Sequence, residues 1–133
     1  MGRLIIGIVA GIVAALACIL LVQFVGHQIY PVGEFSLRDE EAVAAMIASL
    51  PVGALLFVVA AWLLGAMVGG AVAARLTGRT WAAWLIGALV AVAGIANVMM
   101  YPHPVWMQVA AVVAPAVGGL LGGHLAGRRT AAA

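Results

Sequence analysis

The sequence predicts an all-α integral membrane protein with four transmembrane helices. Of its 133 residues, 67% are hydrophobic and 8% are charged, whereas soluble domains carry roughly 25% charged residues. The charges occur in short clusters, and the apolar stretches between them reach or exceed the about 20 residues that cross a bilayer. Only helices satisfy their backbone within one apolar segment in lipid. We expect a single transmembrane domain, residues 1–133, with no separate soluble domain.

The first span is predicted at residues 4–26. Its apolar run continues beyond Cys18, whereas the core of a signal peptide is about 7–15 residues long and ends near its cleavage site. We therefore interpret the segment as a permanent span. Cys18 is the only cysteine, so an internal disulfide is excluded.

The loop at residues 27–49 is predicted to contain a short amphipathic helix. Ser36 and Asp39 resemble an N-cap pair, and apolar residues then recur at helical spacing. These residues are Val43, Met46, Ile47 and Leu50. We expect a helix over residues 38–49, lying on the outer membrane surface or capping the bundle. A plain solvated loop is the alternative.

Three further spans are predicted at residues 50–74, 81–100 and 105–126. Pro51 falls in the first turn of the second span, where its missing N–H costs nothing. The Pro102–Pro104 segment separates the third and fourth spans.

Pro115 lies in the middle of the fourth span and is expected to kink it, freeing the carbonyl of Ala111. Such a kink is either a hinge or static shape.

Arginine distribution predicts the orientation. Five of the six arginines fall on one side of a four-span arrangement, and they are Arg3, Arg75, Arg79, Arg128 and Arg129. Because positive residues stay in the cytoplasm, we expect a bacterial inner-membrane protein with both termini cytoplasmic. The basic excess is then a topology signal, and nucleic acid is not an expected partner.

Spans two and four share a sequence pattern when the chain is shifted by 53 residues. The pattern is P-V-x12-G-x3-G-G-x2-A-x-R, starting at Pro51 and at Pro104. Because both spans run in the same direction, this predicts two parallel helical-hairpin repeats. The alternative is that membrane helices generally favour glycine and end in arginine.

Glycines four residues apart flatten one face of a helix, so that another backbone can approach closely. The glycines predicted to pack helices in this way are Gly7, Gly11, Gly65, Gly69, Gly118, Gly122 and Gly123. Spans two and four either pack on each other within the monomer or leave a glycine face for another subunit. Because four helices of about 20 residues are expected to cover only some of these faces, we expect a homo-oligomer or a subunit of a larger membrane complex.

Polar residues concentrate at the outer ends of the spans, where they predict a candidate site. Its members are Gln23, His27, Asn97, Tyr101 and His103. His27 and His103 with one carboxylate of the loop could supply three metal ligands, but no H-x3-H, E-x-x-H or cysteine pair supports a metal. The alternative is that both histidines bond to backbone or lipid headgroups.

No nucleophile and base can be paired from the sequence, so we expect no catalytic residues, no cofactor and no enzymatic activity. Two functions remain open. The first is a bundle protein that acts by helix–helix assembly, and the second is a small channel or transporter for an ion, metal or small solute at the outer polar mouth.

The run Asn97–Trp106, with the pattern N-x4-P-H-P-x-W, resembles a group of small four-span bacterial membrane proteins of uncharacterised function. Gly26–Pro31 and Ala48–Pro51 extend the likeness. The resemblance implies the same four-span topology and implies no activity.

Overall fold

The computed structural model describes residues 1–33, 36 and 38–132, with side chains through residue 128. Its described residues form five α-helices. They are α1 (Gly2–Ile29), α2 (Glu40–Ser49), α3 (Val52–Thr77), α4 (Trp81–Met100) and α5 (Val105–Ala132). All except α2 are long and apolar enough to cross a membrane. The predicted all-α, four-span fold class is therefore confirmed.

The helices of three spans extend beyond their predicted bounds, mainly at the arginine-bearing ends, whereas α4 coincides with residues 81–100. Arginine side chains can bury their stems while keeping the charge in water, so a helix need not stop where its apolar run stops. Pro51 is the N-cap of α3 and does not lie in its first turn. The helix ends at Gly78, whose φ of 72° lets the chain reverse while the Arg79 N–H donates to the Ala74 carbonyl.

Helix α2 lies in the predicted loop but is capped by a different residue. The Asp39 carboxylate accepts from the backbone N–H groups of Glu41 and Ala42 at 3.1 and 3.2 Å. The Ser36 hydroxyl accepts, at 3.3 Å, from the N–H of Arg38, which precedes the helix. The predicted Ser36 cap is thus wrong, because Asp39 accepts from the first-turn N–H groups. The helix begins at Glu40, two residues later than expected.

Helix α3 is the centre of the bundle. It packs against α1, α4 and α5, and within the described chain α1 and α5 do not contact each other. Helix α4 packs on α3 and α5 and meets α1 only slightly. As a result, α1 is held along one side, by α3.

The two ends of the bundle have different cores. We call them the arginine end, after Arg3, Arg75, Arg79 and Arg128, and the α2 end. Small residues fill most of the arginine-end half, where Ala73, Ala74, Ala82, Ala83 and Ala126 are buried together with the larger Ile86. Large side chains fill the other half, where Leu55, Trp62 and Met107 are buried. Helix axes lie closer together where the residues between them are small.

Pro115 lies inside α5 and is fully buried. Since proline has no N–H, the Ala111 carbonyl lacks its usual partner four residues on. That carbonyl faces α4 at Gly94, where a methyl group would lie 3.1 Å from its oxygen. The absence of a side chain at Gly94 therefore lets α4 cover the freed carbonyl closely.

Candidate helix-packing seams and polar cleft

The α1/α3 seam is a line of close backbone contacts. A methyl group placed on Gly69 would lie 2.5 Å from the carbonyl oxygen of Gly11 and 2.6 Å from Cβ of Ala15. One placed on Gly7 would lie 2.5 Å from Cγ2 of Thr77, and one on Gly65 would lie 2.5 Å from Cγ1 of Ile19. Real Cβ atoms do not approach so closely, so only glycine fits at these positions without movement.

The α3/α5 seam uses the glycines of α5. Gly118 lies directly against the carbonyl oxygen of Leu63. A methyl group on Gly122 would lie 2.5 Å from the carbonyl oxygen of Met67 and 2.9 Å from the backbone nitrogen of Ala71. The closest contacts here are with backbone atoms of α3, so no side chain can rotate away to accommodate a larger residue on α5.

A third seam joins α4 to α5. A methyl group on Gly87 would lie 2.9 Å from the Pro115 carbonyl oxygen and 3.1 Å from Cα of Gly119. A methyl group placed on Gly123 would lie 3.3 Å from Cβ of Ala83.

All seven glycines named from the sequence are buried inside the single chain. The expectation that four helices are too few to cover these faces is therefore wrong, because α3 lies between two glycine-bearing neighbours and α4 covers a third face. Glycines that are equivalent in the sequence repeat contact different helices: Gly65 and Gly69 face α1, whereas Gly118 and Gly122 face α3. The packing of the bundle does not repeat, even where the sequence does.

The five predicted polar residues differ in their exposure. His27 and Asn97 are exposed, while Gln23, Tyr101 and His103 are half-buried. The structure gives the Asn97 amide no hydrogen bond within the described chain. Polar side chains are absent from the buried core of the described residues.

Both histidines bond to nearby backbone. His27 Nδ1 lies 3.1 Å from the Gln23 carbonyl oxygen, and His103 Nδ1 lies 2.9 Å from the Tyr101 carbonyl oxygen. A carbonyl can only accept, so each Nδ1 carries the proton and donates. Among the described residues, no group of three His, Cys, Asp or Glu side chains is placed to hold a metal ion.

Two of the polar residues flank an open cleft between α1 and α4. This α1/α4 cleft has a volume of about 250 Å³ and is lined by Ile12, Ala15, Leu16, Ile19, Ile86, Leu89, Val90 and Ala93. The two helices run in the same direction and touch at Gly11 and Ile86. The exposure of α4 side chains on this side then rises toward the α2 end, from 1% at Ile86 to 7% at Val90, and Asn97 is exposed.

Helical spacing places two polar residues, which form a polar rim, next to the apolar lining of the cleft. Gln23 follows Ile19 by four residues on α1, and Asn97 follows Ala93 by four on α4. Since Ile19 and Ala93 both line the cleft, the two amides lie at one level on its two sides.

Sequence analysis missed a strip of small residues on the free side of α1, which is the side that no other described helix covers. Ala10, Ala14 and Ala17 follow one another at spacings of four and three. Together with Ile5, Ile6, Val9 and Val13 they line a shallow, open depression of about 500 Å³. Small residues of any kind flatten a membrane helix, so extending the search from glycine to alanine would have found this strip.

Comparisons with family models, curated proteins and solved structures gave no match for this chain. The resemblance carried by the Asn97–Trp106 run therefore stays a prediction.

Proposed function

We propose that this protein acts without catalysis, by packing α1 against a helix of another chain in the membrane, as a homo-oligomer or as an accessory subunit of a larger complex. The observation that supports this most is the free side of α1. That helix is attached to the bundle by α3, with a slight contact to α4, and its free side carries the strip Ala10, Ala14 and Ala17.

The strip differs from the glycine seams in one respect that matters for assembly. The seven glycines already have a neighbouring helix against them, so they offer no surface to a partner. Lipid tails are as apolar as leucine, so helix association in a bilayer depends on close packing and on hydrogen bonds. A strip of small residues allows another helix to pack closely against α1.

Replacing Ala14 with leucine tests the proposal, because the larger side chain fills the strip. Ala96→Leu is the matched control, since Ala96 is exposed on α4 and is not on the α1 surface. Overpacking costs about 1–3 kcal/mol, which corresponds to a roughly 5-fold to 150-fold rise in the dissociation constant of the oligomer. Single-molecule photobleaching in liposomes at graded protein density measures that constant.

Strictly monomeric protein that co-purifies with no other membrane protein would contradict the proposal. So would an Ala14→Leu variant that associates as tightly as the Ala96→Leu control.

A second candidate function is passage of a small solute or ion along the α1/α4 cleft. The rim formed by Gln23 and Asn97 favours it. The apolar core argues against a path through the middle of the described bundle, so a route would follow the cleft. A liposome flux assay tests this with Asn97→Leu and His27→Ala, and with Met99→Leu as the control at an exposed apolar position. The idea fails if no solute moves or if all three variants match the wild type.

We further propose the bacterial inner membrane as the location, with both termini in the cytoplasm. The arginines at one end support this orientation. A membrane-impermeant thiol reagent applied to whole cells should label Arg38→Cys and leave Arg128→Cys unlabelled until the cells are opened, both in a Cys18→Ser background. Reversed labelling would refute the orientation.

A further inference from the structure

A small polar pocket lies at the arginine end, where α3, α4 and α5 meet. It has a volume of about 130 Å³ and is lined by Ala74, Arg75, Gly78, Arg79, Thr80, Ala126 and Gly127. Of the grooves and pockets described here, this pocket alone is lined by arginine.

Arg75 and Arg79 have no carboxylate near them in the described chain. The described acidic residues are Asp39, Glu40 and Glu41, which lie at the N-terminus of α2. That position is at the opposite end of α3, a helix of 26 residues and therefore about 39 Å long. These two exposed guanidinium groups therefore have no ion-pair partner among the described residues.

An apolar groove continues from the pocket along the contact between α4 and α5. It has a volume of about 290 Å³ and is lined by Trp84, Gly87, Ala88, Ala91, Val112, Ala116, Gly119 and Leu120. Helical spacing joins the two cavities, since Thr80 precedes Trp84 by four residues and Gly127 follows Leu120 by seven. Pocket and groove thus lie along one line on the surface.

We propose that this line is a binding site for an anionic phospholipid. Arg75 and Arg79 bind the phosphate group, and one acyl chain lies in the groove between α4 and α5. Basic pockets between transmembrane helices suit anionic lipid headgroups, and guanidinium groups pair well with phosphate oxygens. The exposed indole of Trp84, 57% exposed, lies one turn from Thr80, at the boundary between headgroup and chain, where tryptophan is favoured.

The test measures lipid retention by native mass spectrometry on full-length protein, with phosphatidylglycerol and phosphatidylcholine of identical chains as probes. Each arginine near a membrane surface contributes roughly 5-fold to anionic lipid binding, so Arg75→Gln with Arg79→Gln should weaken phosphatidylglycerol binding about 30-fold. Arg38→Gln, which removes the charge at the α2 end, is the matched control and should bind as the wild type does.

The acyl chain has its own pair of variants. Ala116→Phe fills the groove, while Val117→Phe places the same ring on a neighbouring exposed position that does not line it. We expect Ala116→Phe to lower phosphatidylglycerol retention and Val117→Phe to leave it unchanged. Circular dichroism of each variant confirms that the helices persist.

Inorganic phosphate is the competing probe. If millimolar phosphate displaces the lipid from the wild type, or binds as well as the lipid does, the site recognises a free anion and the proposal is overturned. Equal retention of the two lipids, or wild-type retention by the double arginine variant, overturns it as well. Preferential retention of phosphatidylglycerol that is lost in Arg75→Gln/Arg79→Gln and in Ala116→Phe supports it.

Discussion

The arginine-end half and the α2-end half of the bundle pack by different means. At the arginine end, glycine and alanine bring backbones together, as where Gly69 meets Gly11. At the α2 end, Trp62, Leu55 and Met107 fill the space between helices, and the α1/α4 cleft opens. The comparison shows that volume added at the seam glycines of the arginine-end half meets backbone, whereas the α2-end half depends on the volume of its large side chains.

Adding volume at the arginine end should have the largest effect. In Gly69→Leu the new side chain meets the Gly11 carbonyl and the Ala15 side chain, and backbone cannot rotate away. We expect a loss of about 3 kcal/mol of unfolding free energy, the upper part of the range for overpacking. Steric trapping in bicelles measures this quantity.

Gly127→Leu is the control, because no atom of another helix in the described chain lies within 4 Å of a methyl group placed there. Its stability should be unchanged or slightly higher, since leucine favours helix over glycine by about 0.8 kcal/mol. Equal losses in the two variants would show that the close contacts of Gly69 do not govern the stability of this half.

Removing volume at the α2 end should have the next largest effect. Trp62 is 5% exposed, so Trp62→Ala leaves a cavity among large neighbours. We expect the unfolding free energy to fall by about 2 kcal/mol. This loss is smaller than the roughly 3–5 kcal/mol that the same substitution costs in the core of a soluble protein, because lipid is as apolar as the bundle interior. Trp84→Ala removes the same side chain from an exposed position and should cost much less in the same unfolding assay.

Changing the rim of the cleft should have the smallest effect on stability. Asn97 is exposed and its side-chain amide makes no hydrogen bond within the described chain, so Asn97→Leu should shift the unfolding free energy by less than about 0.5 kcal/mol. A loss of 2 kcal/mol in the same assay would mean that the amide holds helices together inside the monomer, contrary to its exposed position.

Sequence reasoning predicted the class of fold because it rests on a single strong signal, the length of the uncharged stretches. The predicted bounds of α4 are also those of the observed helix. Aromatic residues, Thr80 and the Pro102–Pro104 turn mark its two ends in the sequence. It missed the Asp39 cap because Ser36 and Asp39 both fit the pattern of a helix start, and only the backbone geometry distinguishes them.

The partners of the glycines could not be derived in the same way. Spacing identifies a flat face on α3 and another on α5, but it does not say which helix covers each. That choice depends on α3 lying between α1 and α5, which is a property of the whole bundle. Likewise, Asn97 and His103 are close in sequence, yet the backbone turns between them and gives them different surroundings.

The central claim is that glycine seams close the monomer while the alanine strip of α1 joins it to a partner. The most direct test measures both unfolding free energy and oligomer dissociation for Gly69→Ala and Ala14→Leu in one lipid composition. The account predicts that Gly69→Ala lowers stability by about 2 kcal/mol and leaves association of the folded protein unchanged, whereas Ala14→Leu does the reverse. A Gly69→Ala variant that unfolds like the wild type but no longer associates would contradict it.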